Sequence, residues 1–286
     1  MRTTFAADVL ETLLLSVEDR ALGFHQLDVL STQVASEFDF RVDVTLNHMR
    51  ARQNLLGDLY PFEVLPVGVV KRPACELSPY VSLLILSPEG IFRRMASARD
   101  IDRASLEFER LMEQAIKGLS GPGTSSIRFG WPSEVGRPLE FPDAIAWLGE
   151  QMGLRLGRGF RPPRRKDGGV DIISWRKFRD GKSAFPIFLV QCTIQSDLLK
   201  KSEDIDLRNW AYWLEFSRDP QPILAAPQEL SGQDENWNEL SLKCLVLDRP
   251  RILELLASSS EMGYPYARCE WATMQLARLE KFVESM

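Results

Sequence analysis

The chain has 286 residues, 44% of them hydrophobic and 26% charged, and carries a net charge of −5. That length can bury one large core or two small ones, and the ordinary composition excludes a disordered or fibrous chain. The negative balance excludes a protein that coats nucleic acid or membrane with its whole surface, but leaves room for a local basic groove.

Phe5, Val9, Leu13 and Val17 recur at helical spacing and predict an amphipathic helix over 5–17, with a second over 24–37. Residues 59–72 (LYPFEVLPVGVVKR) read as β-rich, and 80–87 (YVSLLILS) as a short buried strand bounded by Pro79 and Pro88. A helix over 104–117 carries Phe108, Met112, Ala115 and Ile116 on one face. The Gly-, Pro- and Ser-rich stretch 118–138 is the best boundary candidate. The expected division is therefore an N-terminal mixed helical and β region, 1–130, that docks a partner, and a C-terminal domain, 131–286.

Beyond that boundary, 141–153 (FPDAIAWLGEQMG) reads as a helix stopped by Gly153. Two strands follow, one headed by Asp171 and one over 185–193 (FPIFLVQCT). A polar helical segment contains 207–216, strands are expected at 222–227 and 240–248, and Asp248 with Pro250 makes a helix start. Ala272, Leu276, Leu279 and Val283 stripe a last helix over 267–284. The order predicts an α/β fold, one mixed sheet flanked by helices.

Four cysteines (Cys75, Cys192, Cys244, Cys269) without a close pair, and only His25 and His48, argue against structural zinc, a disulfide framework and histidine-based hydrolysis. Cys192 reads as a small buried hydrophobe, and neither histidine is assigned a role. The N-terminus lacks the order of a secretion signal and no apolar run approaches membrane-spanning length, so the expectation is a cytoplasmic protein with reduced thiols and no membrane partner.

The chemistry concentrates around "KDGGVDIISW" (166–175) and "FPIFLVQCT" (185–193). Asp171 and Gln191 are equidistant from Gly181, so a loop centred there sets them opposite each other, about 5 Å apart on one face of an antiparallel pair. A strict two-residue turn at Asp180–Gly181 would instead pair Asp171 with Val190 and turn Gln191 away. An Asp carboxylate and a Gln amide oxygen are hard ligands suited to Mg²⁺ or Mn²⁺, with the backbone carbonyl of Cys192 as a third oxygen. Gly168 and Gly169 allow another backbone to approach, as a site gripping a nucleic-acid strand needs. Just upstream, Arg155, Arg158, Arg161, Arg164, Arg165 and Lys166 fall within twelve positions with no acid among them, a tract that attracts phosphates or else forms a solvated loop. Trp175, Trp210, Tyr212 and Trp213 could stack on bases, although Trp210 and Trp213, at helical spacing, suit packing.

Together "DGGVD…FLVQCT" resembles the PD-(D/E)XK nuclease superfamily, in particular its Mrr-type restriction endonucleases. The resemblance covers about 141–250. It implies a restriction-endonuclease-like sheet and Mg²⁺- or Mn²⁺-dependent hydrolysis of DNA, with RNA an open alternative substrate. It also implies a role in restriction or phage defence, inside a larger protein complex with an ATPase. Residue by residue it implies Asp171 and Gln191 as the metal-binding pair, and an acid on the preceding helix, Asp143 or Glu150. A lysine is expected two positions after Gln191, where this chain has Thr193. Lys200 or Lys201 on the following helix are the substitutes, with Lys166 a weaker one; the assignment made is Lys200, beside Glu150. The competing expectation is a nuclease fold without catalysis, a subunit that binds DNA or scaffolds a complex.

Overall fold

The computed structural model describes residues 3–35, 41–88, 90–133, 136–159, 161–163, 166–232, 235–263 and 270–284. Two compact units emerge. The first comprises Met1–Glu107, Pro227–Glu229 and Ala267–Met286, the second Phe108–Ala226 and Leu230–Tyr266. The division at 107/108, rather than 130/131, follows from the Gly- and Ser-rich stretch: it contributes a strand to the second unit's sheet instead of linking two domains.

The first unit begins with α1 (Thr3–Leu15), β1 (Ala21–Gly23), α2 (Phe24–Ala35), α3 (Val42–Leu56), β2 (Phe62–Leu65), β3 (Gly68–Lys71), α4 (Pro79–Leu86) and α5 (Ile91–Met95), and includes the start of α6 (Ala98–Ala115). Its three strands form an antiparallel sheet in the order β1-β3-β2. The strand expected at 80–87 is the helix α4. Ser78 accepts a hydrogen bond from the amide of Tyr80, and Pro79 opens the first turn, which is a helix start. Every residue from Tyr80 to Leu86 is buried, so no polar face reveals the helical period.

One buried cation organises this unit. Arg52, 2% exposed, meets Asp8 at 2.7 Å, Glu11 at 2.8 Å and Glu229 at 2.6 Å. Tyr60 and Tyr80 donate to Glu11 at 2.6 and 2.7 Å. Burial works against the charge on Arg52, but Glu11 and the other acids around it outweigh that cost and keep the guanidinium protonated well above its ordinary range.

The second unit continues from α6 through α7 (Lys117–Ser120), β4 (Ser125–Arg128), α8 (Phe141–Met152), β5 (Ile172–Trp175), β6 (Ile187–Cys192), α9 (Leu198–Ser202), α10 (Leu207–Trp213), β7 (Gln221–Ala225), α11 (Glu235–Lys243), β8 (Leu245–Leu247) and α12 (Arg249–Glu261); α13 (Glu270–Glu284) belongs to the first unit. The strands lie in the order β4-β5-β6-β7-β8. The first three run antiparallel, and β6, β7 and β8 run parallel, joined by helical crossovers as parallel neighbours require. The mixed α/β sheet expected from the sequence is present. The span 240–248 splits: its first residues end α11 and only Leu245–Leu247 is strand. Asp248 precedes α12 without capping it by its side chain, and instead accepts from the amide of Leu230 at 3.2 Å.

α8 buries Phe141, Ala144, Ile145, Leu148 and Met152 along one face. They join Trp175, Trp210 and Trp213 in the core, with the last two rings edge to face at 5.3 Å. Those three tryptophans therefore pack rather than stack on bases. No helix among the described residues is long and apolar enough to cross a membrane.

Candidate active site

The site is set by strand register. Ile172 pairs with Val190 and Ile173 with Leu189, so the next pair outward is Asp171 opposite Gln191. An eleven-residue connection, 176–186, replaces the tight turn, and Gly181 sits at its middle in the left-handed region. That odd length keeps both side chains on one face.

The two groups touch. Gln191 Nε2 donates to Asp171 Oδ2 at 2.6 Å, and the backbone amide of Cys192 donates to the same oxygen at 2.7 Å. The carbonyl of Cys192, expected as a metal ligand, accepts from Gln191 Nε2 at 3.0 Å. Cys192 therefore approaches Asp171 with its N–H. Its thiol is pushed well up, first by burial and then by the charge of Asp171.

The acid that joins Asp171 comes from α6, not α8. Asp143 and Glu150 are both exposed. Glu109 instead closes on the same point as Asp171, beside Gly130. A methyl group on Gly130 would lie 3.0 Å from Glu109 Oε2, 3.5 Å from Asp171 Oδ1 and 3.5 Å from Arg128 Nη1. Arg128, 2% exposed and at the end of β4, pairs with Glu109 at 2.8 Å and also donates to the carbonyl of Pro132. The amides of Phe129 and Gly130 bond the carbonyl of Asp171 at 2.7 and 2.9 Å, which fixes the loop after β4 against the head of β5. One signal could have found Glu109: it shares the i, i+3, i+7 row with the buried Met112 and Ile116.

Burial is the largest influence on Asp171, followed by the charges of Glu109 and then Asp167, and together they raise its carboxyl well above the usual range. Lys201 acts in the opposite direction. Lys201 itself pairs with Asp204 at 3.3 Å, whereas Lys200, the residue assigned from the sequence, is exposed and its amide caps onto Asp197. Thr193, in the lysine position, is 4% exposed and accepts from the amide of Gln195 at 3.1 Å.

The glycine pair serves the protein's own chain. Gly169, with φ +78°, sits where a methyl group would lie 2.0 Å from the carbonyl oxygen of Asp204, and Gly168 packs against Trp213 and Trp210. The backbone that approaches is internal.

Of the basic tract, Arg158, Arg161 and Lys166 are exposed, while Arg164 and Arg165 lie outside the described residues. The Arg161 guanidinium lies over the Tyr212 ring, 4.3 Å from its centroid, and Lys166 Nζ lies 5.0 Å from the centroid of Trp131.

The donor set fits a hard dication in kind. Among the described residues no group of three His, Cys, Asp or Glu side chains is arranged to hold a metal. The oxygens on offer are two carboxylates facing one gap and, after a half-turn of its amide, Gln191 Oε1. Magnesium suits such a set, because it commonly takes one or two carboxylates and fills its remaining positions with water and substrate phosphate. Comparison with protein-family models, with curated proteins and with solved structures found no match for the chain.

Proposed function

We propose that this chain is a metal-dependent nuclease that hydrolyses DNA phosphodiesters. The observation that carries the reading is the convergence of Glu109 and Asp171, from a helix and a strand distant in sequence, on the gap over Gly130. Glu109, Asp171 and Gln191 would hold Mg²⁺ or Mn²⁺. Bound there, the ion would supply a nucleophile from water near neutral pH and neutralise charge on the phosphate.

The chain's own groups do the rest. The Cys192 amide and Gln191 Nε2 fix one oxygen of Asp171 and leave the other facing the gap. Arg128 stands within 3.5 Å of the same point. On this reading it would supply the permanent positive charge that the missing lysine would have provided. Arg158, Arg161 and Lys166 supply phosphate-directed charge along the approach. A role in restriction or phage defence, within a complex containing an ATPase, extends this reading by resemblance alone.

A second reading rests on the same arginine. Arg128 already neutralises Glu109 at 2.8 Å, and Thr193 leaves the lysine position empty of charge. A nuclease fold so altered would bind DNA without cutting it. Supercoiled plasmid, linear duplex and single-stranded DNA incubated with Mg²⁺, Mn²⁺ or EDTA separate the two. On the first reading wild type cuts only with metal, and Asp171→Asn or Glu109→Gln lowers the rate by more than ~100-fold, since even the outer partners of metal ligands are worth ~10- to 100-fold. Salt-sensitive binding with no cutting in either metal would establish the second.

A further inference from the structure

Two exposed aromatic rings in the second unit each carry a cation from the basic tract. Tyr212, 41% exposed, lies under Arg161, whose Nη2 also reaches the phenol oxygen at 3.4 Å. Trp131, 37% exposed, lies near Lys166 at 5.0 Å and Arg137 at 5.9 Å. The backbone carrying each cation is fixed. Trp213 Nε1 donates to the carbonyl of Arg161 at 2.9 Å, and the buried Arg137 donates to the carbonyl of Lys166 at 2.7 Å.

Resting on the nuclease reading, we propose that the polynucleotide reaches the carboxylate gap as a single strand, its bases stacked on Tyr212 and Trp131 and its phosphates met by Arg161 and Lys166. The rings of a paired duplex are stacked on one another and offer no free face, whereas unpaired bases stack readily on aromatic side chains and guanidinium planes. Arg161 and Lys166 are five residues apart, so their α-carbons are at most ~18 Å apart, and the same limit separates Lys166 from Asp171. Chain reach therefore keeps both cations within at most ~36 Å of the site, and Trp131 directly follows Gly130 in the sequence.

The cleft beside Tyr212 points the same way. About 790 Å³ in volume, it is lined by Arg155 and Arg158 together with Glu215 and Asp219. A pocket for an unpaired base uses both signs, because carboxylates accept from exocyclic amino groups, as they do from cytosine N4.

The test is fluorescence anisotropy in EDTA, so that nothing is cut, with labelled 20-nucleotide single-stranded DNA, single-stranded RNA and the matching DNA duplex. Wild type is expected to bind at least one single strand ~10-fold or more tighter than the duplex. Tyr212→Ala and Trp131→Ala each lower that affinity by ~5- to 150-fold, the span of one lost base stack, while Tyr212→Phe, which keeps the ring, stays within ~2-fold. The DNA and RNA arms identify the sugar preferred. Duplex binding equal to or tighter than single-strand binding, or affinity indifferent to both alanine variants with their circular dichroism unchanged, overturns the proposal. Single-strand binding without metal-dependent cutting upholds it while overturning the nuclease reading; duplex cutting indifferent to both rings does the reverse.

Discussion

Asp171 is buried at 8% exposure beside two other carboxylates, Glu109 and Asp167, the condition under which a carboxyl resists ionisation. Its folded pKa is raised above its unfolded value, so the protein gains from holding the proton below the unfolded pKa and loses that gain as pH rises through the folded one. Asp171→Asn keeps an oxygen for the Cys192 amide and removes the ionisable group. The variant is expected to melt higher than wild type at pH 7–8, by ~2–4 °C for each kcal/mol relieved, with the difference vanishing near pH 4. Scanning calorimetry across that range checks it; a variant that melts lower at neutral pH would show that the carboxylate is compensated as the structure stands. Single residues were also where the sequence was least readable. Asp171 and Gln191 announce themselves by a glycine pair and a strand end, whereas Glu109 shows only its place on the buried row of α6 and Arg128 shows nothing. Their meeting depends on the long-range pairing of β4 with β5, which continues past Arg128 to the carbonyl of Asp171 and which no local pattern encodes. The Arg52 cluster is the same case, since Asp8, Glu11 and Glu229 are ordinary acids until the chain brings them to one guanidinium.

Between elements, register does the selecting. The partner of Asp171 could be narrowed in advance to two choices, Gln191 or Val190, and the eleven-residue loop decides for Gln191. The helix–strand error at α4 has the opposite cause, a segment buried all round that shows neither period. The glycines divide by the same logic. Gly181, at the middle of the long β5–β6 loop, has nothing within 4 Å of the point a methyl group would occupy, whereas at Gly169 that point falls 2.0 Å from the Asp204 carbonyl oxygen. Gly181→Ala is expected to cost only the ~1–2 kcal/mol of a left-handed alanine. Gly169→Ala adds a collision with backbone and should cost at least ~3 kcal/mol by urea denaturation. Equal costs would mean that the 167–170 turn yields to the methyl group, and the packing of Gly169 on Asp204 would lose its meaning.

For the molecule as a whole, the chain leaves and rejoins its first unit. The terminal helix α13 packs into that unit through Trp271, Ala272, Leu276 and Leu279, all buried, with Trp271 edge to face on Phe92 at 5.2 Å. Sequence composition marks boundaries by Gly, Pro and Ser, so a division inside a helix and a return at the far end of the chain were both invisible to it. Each large side chain so buried is worth ~1.5–3 kcal/mol. Removing 267–286 is therefore expected to unfold the first unit, measured as loss of its cooperative transition and of helical circular dichroism beyond the helix deleted. A truncated chain with an unaltered melting profile would contradict that assignment.

Gly130 has a practical corollary. Its backbone is outside the left-handed region, and one added carbon there would press on Glu109 Oε2 and reach Asp171 Oδ1. That carbon alters no charge and deletes no carboxylate. On the nuclease reading, Gly130→Ala is thus expected to abolish metal-dependent cutting while both carboxylates remain in place, and any effect of the protein that survives the change would not depend on cutting.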